Sequence, residues 1–432
     1  LERKKFVKNL KYGLDEIPKF AELLSLSFYW LVVITPILII GGRIVSDFHF
    51  SDAFEKTIYV QKVFFVSGLT ILFQILFGHR LPLISGPSAI LIAGIYAIND
   101  YFASYTSMAI CGLFVFFLAT KGKVYSLQKL FTQKIVALVF LFIIITLLPL
   151  VLDLITSEGD LTFNVAFSII FVSSLLILTK LLRGFWASNL LLVALFSGTV
   201  IYLLIFPRSF EIIEPYFAGF QFHFSFRFEV FISFLFFYLA LIVNDVSSIY
   251  SVAKMVEAEK IDERISRGVS ITGLSNFLSG ILSVVGTVNY AMSPGIIAST
   301  RSASRFALLP VAFMLILFSF FPILIHCFAM IPKTVIASVF IYVLCYQCIF
   351  ALKSLKIEGF GSFLTILISI LVCFSITFAP KWVFENIPDV LEPVVGNGFI
   401  AGLLVAIIFE QVLRKKDKFI SETRGHGKEG SG

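Results

Sequence analysis

Long apolar runs separated by short polar punctuation dominate the chain, and their lengths predict membrane crossings. They lie near residues 22–41, 60–78, 81–98, 101–120, 130–152, 162–182, 185–206, 229–251, 269–286, 287–300, 306–329, 334–351, 359–379 and 395–413. Most approach the roughly 20 residues a helix needs to span a hydrocarbon core about 30 Å thick. Two runs break the pattern in the same way. One reads Leu81-Pro82-Leu83-Ile84-Ser85-Gly86-Pro87-Ser88-Ala89-Ile90, the other Val288-Asn289-Tyr290-Ala291-Met292-Ser293-Pro294-Gly295-Ile296-Ile297. Each is an extended apolar stretch that meets a Ser/Gly/Pro breaker and resumes as a short helix. Pro87 and Pro294 suit the first helical position, with Gly86 (or Ser85) and Ser293 as caps. A helix from Pro87 to about Ile98 rises only about 18 Å and cannot cross alone.

The expected fold is therefore an all-α polytopic membrane protein of about 14 transmembrane segments, with spans 3 and 10 each a short strand plus a half-helix. Both are third in a block of seven. An odd number of crossings per block inverts the second block, so the arrangement predicted is a 7+7 inverted repeat whose broken members meet near the midplane. Paired interruptions of this kind point to the binding site of a secondary transporter. The termini and the loops near 79–80, 121–134, 180–184, 254–268, 301–305 and 353–356 hold 27 of the 34 Lys and Arg. That bias supports the count and puts both termini in the cytoplasm of a multi-pass cell-membrane protein. The long loop near 207–228 is rich in Phe (Phe217, Phe220, Phe222, Phe224, Phe226) and is expected along the interface or as a short hairpin.

Composition agrees. The chain is 58% hydrophobic and 14% charged, with mean hydropathy +0.97, values that exclude a soluble domain of 432 residues. Its net charge of +7 sits in loops and ends and reads as a topology signal rather than a nucleic-acid surface. The 51 Phe read as lipid-facing and interhelical packing. Cys111, Cys327, Cys345, Cys348 and Cys373 fall inside predicted spans. Cys345 and Cys348 have CxxC spacing without His or acidic company, so packing is the expectation, with no metal and no cofactor. Walker, zinc, nucleophile-elbow and dinucleotide motifs are absent, which leaves ATP-driven and enzymatic readings unsupported. Residues 1–20 are basic and polar rather than leader-like. The end after about Thr423 reads as disordered.

Several motifs carry a family resemblance over nearly the whole chain. They are Ser67-Gly68-Leu69-Thr70-Ile71-Leu72-Phe73-Gln74, Gly78-His79-Arg80-Leu81-Pro82, Arg267-Gly268, Gly273-Leu274, Leu278-Ser279-Gly280, and Gly295 to Arg301 with the form G-x-x-x-x-T-R. On these the chain resembles the nucleobase/ascorbate transporter family, the uracil and xanthine permeases (nucleobase:cation symporter-2). The resemblance implies a core domain (22–120 and 229–329) and a gate domain (130–206 and 334–413), between a cytoplasmic N-terminal segment (1–21) and a C-terminal tail (414–432). It also implies cation-coupled, elevator-like symport and, by analogy of fold, a homodimer through the gate. The site motif departs from the family's. The Gln-His pair of the first span falls on Ser27 and Phe28, and the Glu of the eighth span on Asn244 beside Asp245. The tenth-span Glu/Gln and Asn fall on Met292 and Ser293, with Tyr290 kept. The stacking aromatic of the third span falls among Ala89, Ile90 and Leu91.

Asp245 is the strongest single signal, a carboxylate between Phe236-to-Val243 and Val246-Ser247-Ser248. An ionisable group there faces a partner or a wet cavity. It reads either as a residue that handles substrate or the coupling proton, or as a carboxylate satisfied by the serines or lying near the inner membrane face. Asn244, Ser247 and Ser248 suit substrate hydrogen bonds or helix–helix contacts. Tyr290 suits stacking or hydrogen bonding, and Ser88 and Ser293 suit capping, binding or both. The candidate substrate-binding set is Ser88, Ala89, Asn244, Ser248, Tyr290, Met292 and Ser293. Arg301 and Arg305 read as inside anchors, Lys134 as snorkelling, His326 as a satisfied histidine, and Glu410 as an i,i+4 partner of Arg414. The charged run from Glu257 to Arg264 reads as a solvated loop. The predicted function is proton- or cation-coupled uptake of a uracil- or xanthine-like nucleobase or related small solute, with the lipid bilayer as surroundings and no nucleic-acid partner. An anion transporter on the same fold is the alternative, and a non-transporting scaffold or sensor a second one.

Overall fold

A computed structural model describes residues 10–98, 100–122, 132–182, 185–207, 224–290, 292–355, 357, 359–384, 387–388 and 391–426. In chain order the principal elements begin with α1 (Phe20–His49), α2 (Ala53–Leu76), β1 (Ser85–Pro87), α3 (Ala89–Ile98), α4 (Tyr101–Thr120), α5 (Gln133–Thr156) and α6 (Leu161–Leu181). There follow α7 (Leu190–Ile205), α8 (Phe228–Met255), α9 (Ile261–Ile281), β2 (Thr287–Asn289) and α10 (Ser293–Thr300). The last are α11 (Leu308–Ser319), α12 (Pro322–Ala329), α13 (Lys333–Ser354), α14 (Gly359–Thr377) and α15 (Gly398–His426).

The protein is an all-α polytopic membrane protein. Among the described residues, eight helices are long and apolar enough to cross alone, and α11 with α12 make a ninth if taken as one bent span. The run expected as a single crossing near 306–329 bends by 92° between those two helices. Pro322 opens α12 and has no N–H with which to continue α11. The charged run expected as loop closes into helix at Ile261, so Asp262, Glu263 and Arg264 form the first turn of α9. Of the aromatic loop, Phe217, Phe220 and Phe222 lie outside the described residues. The tail is helical as far as His426, and residues 427–432 lie outside the description.

The two interrupted segments pair with each other. β1 and β2 form a two-stranded antiparallel ladder with Ser85 opposite Asn289, Gly86 opposite Val288 and Pro87 opposite Thr287. The bond from Tyr290 N to Ile84 O (2.9 Å) and that from Ser88 N to Gly286 O (2.9 Å) extend it at both ends. This pairing shifts the helix starts from where capping rules alone put them. Pro87 ends the strand, and Ser88 becomes the cap, its Oγ accepting from Leu91 N at 3.4 Å. Ser293 lies inside the first turn of α10, after Met292 as N-cap. Close approach requires glycine twice here. A Cβ on Gly41 of α1 would meet Pro87 at 2.6 Å, and one on Gly86 would meet the Tyr290 hydroxyl at 2.9 Å.

Contacts divide the chain into two compact units: Leu1–Gln128 with Leu150–Leu344, and Lys129–Pro149 with Cys345–Gly432. In the first, α4 and α9 touch backbone to backbone. A Cβ on Gly112 would sit 2.6 Å from Phe277 N, one on Gly273 2.6 Å from Phe116 N, and one on Gly280 2.5 Å from Tyr105 O. Small residues give apolar helices the close packing that lipid-solvated helices rely on. Among the described residues, three basic side chains outside the basic loops are in ion pairs. Arg43 and Lys56 both bind the buried Asp47 (2.9 and 3.0 Å), and Arg227 binds Asp100 and Glu229. The N-terminal segment is tied by a parallel bridge from Tyr12 to Ser302 and by Arg305 Nε to Asp15 at 2.7 Å. Arg305 Nη1 also donates to Ile75 O near the end of α2 (2.9 Å). In the second unit, Lys134 does not snorkel, and the expected pairing of Glu410 with Arg414 falls on a side chain outside the described residues. Lys134 Nζ meets Glu410 Oε2 at 2.8 Å with both side chains nearly buried. Replacing Gly273 with Val is expected to destabilise the protein by about 1–3 kcal/mol or more, read as a lower Tm in detergent. Gly295→Ala, with open space around its Cβ position, is expected not to lower it.

Candidate functional site

Asp245 sits past the middle of α8, on the side that packs against β2, α3 and α9. It is fully buried. Its Oδ1 accepts from the backbone N of Asn289 at 3.0 Å and from the Asn289 Nδ2 at 2.7 Å, and its Oδ2 accepts from Thr272 Oγ at 2.7 Å. No ion pair involves Asp245 among the described residues. The carboxylate therefore ties α8 to α9 and to the strand of the second interrupted segment. Asn289 carries the tie onward, since its Oδ1 accepts from Ser85 Oγ at 2.5 Å across the ladder. Thr272 Oγ accepts from Gln74 Nε2 at 3.1 Å and lies 3.2 Å from Gly268 O, and Gln74 also donates to Gly268 O at 2.9 Å. One buried network thus joins α2, α8, α9, β1 and β2. Each polar group it contains would cost several kcal/mol if left bare in hydrocarbon.

A second layer anchors the start of β2. Thr287 N donates to Asn276 Oδ1 at 2.6 Å and Thr287 Oγ to Ser275 Oγ at 3.1 Å, while Ser275 Oγ also bonds Thr70. At the turn into β1, His79 is wholly buried against Gly268 and Ile249. Its Nδ1 accepts from Leu81 N at 2.9 Å, which makes the imidazole neutral and puts its proton on Nε2. Arg264 Nη1 binds the carbonyls of His79 and Arg80 at 2.9 and 3.0 Å, holding Arg80 in its left-handed conformation (φ 53°).

The candidate residues separate into two groups. Ser88, Tyr290, Ser293 and Asp245 are brought together at the ladder. Tyr290 donates its hydroxyl to Pro87 O at 2.7 Å, and Ser293 Oγ accepts from Ile84 N at 3.2 Å. Asn244 is half-buried, Ala89 is half-buried at the start of α3, and Met292 is 39% exposed. One residue of helix is about 100° of rotation, so Asn244 faces away from the direction of Asp245, and its side chain has no hydrogen-bond partner among the described residues. Ser248 is buried with its Oγ unpartnered among the described residues. The partners of Asp245 are Thr272 and Asn289, not the neighbouring serines. Ser27 is buried on Leu23 O and Ala307 O (2.7 Å each), and Phe28 is exposed. The roles of Thr272, Asn289 and His79 were not assigned from sequence. Asn289 and His79 stand inside the quoted motifs, and a buried carboxylate's need for donors was the signal that could have singled out an Asn in the facing strand.

Residues 21–383 match the profile of the xanthine and uracil permeases, described as "Permease family". The chain belongs to that family. The permease is 24% identical over 408 residues to the nucleobase transporter PlUacP of Paenibacillus larvae subsp. larvae, covering 89% of this chain and 91% of that protein. It is 22% identical over 436 residues to a xanthine permease of Bacillus subtilis, covering 95% and 94%. Among solved structures, the transmembrane domain of a cyanobacterium bicarbonate transporter, BicA, matches with a TM-score of 0.60 at 15% identity, over 91% of this chain and 98% of that one. That likeness is one of fold. The permease is accordingly a multi-pass membrane transporter of a small molecule, not an enzyme.

Burial pushes the His79 imidazole down to about 3, with the Asn289 amide opposing and the Arg264 guanidinium adding to the effect. The unfolded chain protonates near 6.5. It therefore binds more protons than the folded protein between about pH 6.5 and 3, and the stability due to neutral His79 is lost as pH falls through that window. In detergent-solubilised permease, His79→Gln is expected to flatten the fall of Tm between pH 6.5 and 4. An unchanged slope would contradict a buried neutral imidazole.

Proposed function

We propose that the permease is a secondary active carrier that takes up a nucleobase or related small solute together with a proton. In this reading it has fourteen crossings in a 7+7 inverted repeat and both termini in the cytoplasm. The core (22–120 and 229–329) moves against the gate (130–206 and 334–413) by an elevator motion, and the gate provides a dimer contact. The observation that carries the proposal is the antiparallel ladder of Ser85–Pro87 with Thr287–Asn289. Two interrupted segments running in opposite senses share one ladder, and α3 and α10 begin beside it. Irregular backbone at membrane depth is tolerated where it is buried in protein or lines a wet cavity. Asn244, Ala89, Met292 and Ser248 surround these helix starts as substrate contacts in this proposal, with Ser88, Tyr290 and Ser293 shaping the backbone that presents them.

Asp245 is suited to carry the coupling proton because its surroundings accept either state. With the carboxylate ionised, Thr272 donates to Oδ2. With a proton on Oδ2, Thr272 Oγ becomes the acceptor and turns its own hydrogen to Gly268 O, already 3.2 Å away. Oδ1 keeps both bonds from Asn289 throughout. No group is orphaned by the exchange.

One observation favours a second reading. Both oxygens of Asp245 are turned to Thr272 and Asn289, and neither α3 nor α10 has an acidic residue in its first turn. Each helix start brings roughly half a positive charge, which suits an anionic solute. Proteoliposomes loaded to impose an inward proton gradient separate the possibilities. Radiolabelled xanthine uptake is expected to accumulate, to be competed by uracil, and to lose its gradient dependence in Asp245→Asn. Competition by sulfate or bicarbonate but not by uracil would favour the anion reading, and gradient-driven uptake in Asp245→Asn would remove Asp245 from the coupling.

A further inference from the structure

Within the buried network, most groups can either donate or accept. The hydroxyls of Ser85 and Thr272 are ambivalent, and the side-chain amide of Asn289 can turn over, exchanging its oxygen and nitrogen. As the structure stands, Nδ2 faces Asp245 and Oδ1 faces Ser85. Ser85 does not enforce that choice, because its hydroxyl would equally accept from a reversed amide. Asp245 enforces it only while Oδ1 carries no proton. A donor-only group at Asn289 Oδ1 keeps the amide from reversing and so keeps an arriving proton on Oδ2.

His79 supplies that group. Leu81 N–H occupies its Nδ1 at 2.9 Å and thereby leaves Nε2 as a donor. Nε2 is buried with no hydrogen-bond partner among the described residues, and its ring and the Asn289 amide both lie on the Gly268–Thr272 turn of α9, the ring 3.5 Å from the place of a Gly268 Cβ and the amide nitrogen 3.4 Å from Thr272 Oγ. The ring itself is wedged: a Cβ on Gly268 would meet His79 Cβ at 3.1 Å and Ile249 Cδ1 at 2.6 Å. We infer that His79 is a positioning residue for Asp245: its Nε2–H faces the Asn289 amide oxygen and keeps the amide nitrogen turned to the carboxylate. A donor at that oxygen also polarises the amide, strengthening its bond to the ionised carboxylate. His79 therefore favours the carboxylate over the carboxylic acid. The charged groups around it are Arg264 of α9 and Arg80 beside it, with Asp245 across Asn289. The placement of the amide stands on geometry; its consequence for transport rests on Asp245 carrying the proton.

Two replacements separate positioning from packing. Asn at 79 reaches only the place of Nδ1 and still accepts from Leu81 N–H, so it keeps the turn and loses the donor. Gln reaches the place of Nε2 and keeps a donor there. The experiment is a double-mutant cycle on the Tm of the purified full chain at pH 7.5, with His79→Asn and His79→Gln each made alone and with Asp245→Asn. His79→Asn is expected to lower Tm more in the otherwise unaltered protein than in the Asp245→Asn background, with His79→Gln close to wild type. Equal losses in both backgrounds, or equal losses for Asn and Gln, would overturn the assignment. In proteoliposomes that take up xanthine, His79→Asn is expected to move the pH midpoint of uptake upward by about half a unit or more, and His79→Gln to leave it in place. The same midpoint for His79→Asn and wild type also overturns the assignment. Failure of the wild type to carry xanthine bears on the substrate reading alone, since the Tm cycle uses no substrate.

Discussion

The antiparallel pairing of Ser85–Pro87 with Thr287–Asn289, fastened by Asp245, is the contact on which the rest of this structure depends. Water is not available at membrane depth to satisfy backbone that leaves a helix, so a segment that stops being helical there must find protein partners. Each interrupted segment here finds them in the other. The ladder accounts for much of the exposed backbone, and Asp245 accepts the amide of Asn289, at the end of β2. From that knot follow the glycines at 41 and 86, the cap at Ser88, and the burial of Gln74 and Thr272 on the flanking helices.

A single carboxylate that holds a fold together is a poor partner for change unless its bonds survive protonation. Asp245 meets that condition because one oxygen is served by fixed donors and the other by a hydroxyl that can reverse. The same chemistry links the structural role of this side chain to the one proposed for it in coupling. A carboxylate tied to Asn289 is tied to Ser85, and through both to the starts of α3 and α10. In the proposed mechanism, loading or releasing a proton at Asp245 is therefore felt by both interrupted segments together. The residues that face outward from the knot, Asn244, Ala89 and Met292, carry no charge, and in the proposed mechanism that leaves solute selection to shape, hydrogen bonding and the helix ends.

Much of this was legible in the chain because it is enforced locally. Ser/Gly/Pro breakers inside apolar runs announce interrupted segments, and an acidic residue among Phe, Leu, Ile and Val announces a partner. What stayed hidden depends on partners distant in sequence. Asp245 bonds Thr272 and Asn289 rather than the adjacent serines, because a helix aims residues one position apart in directions about 100° apart. Pro87 fits a helix start by local rules, yet pairing with Thr287 holds it in the strand. Glu410 also bonds Lys134, a partner far away in sequence. The glycines of the ninth-span motif resemble family signature, and in the structure Gly273 and Gly280 serve contact with α4.

Hydrogen–deuterium exchange of the full chain in lipid nanodiscs measures the knot most directly, because it reports whether non-helical amides are bonded and what their bonding depends on. Amides of residues 84–90 and 285–290 are expected to exchange as slowly as those of α4 and α9, and to lose that protection when Asp245 is replaced by Ala. Fast exchange in both segments of the unaltered protein, or protection indifferent to Asp245→Ala, would contradict the account.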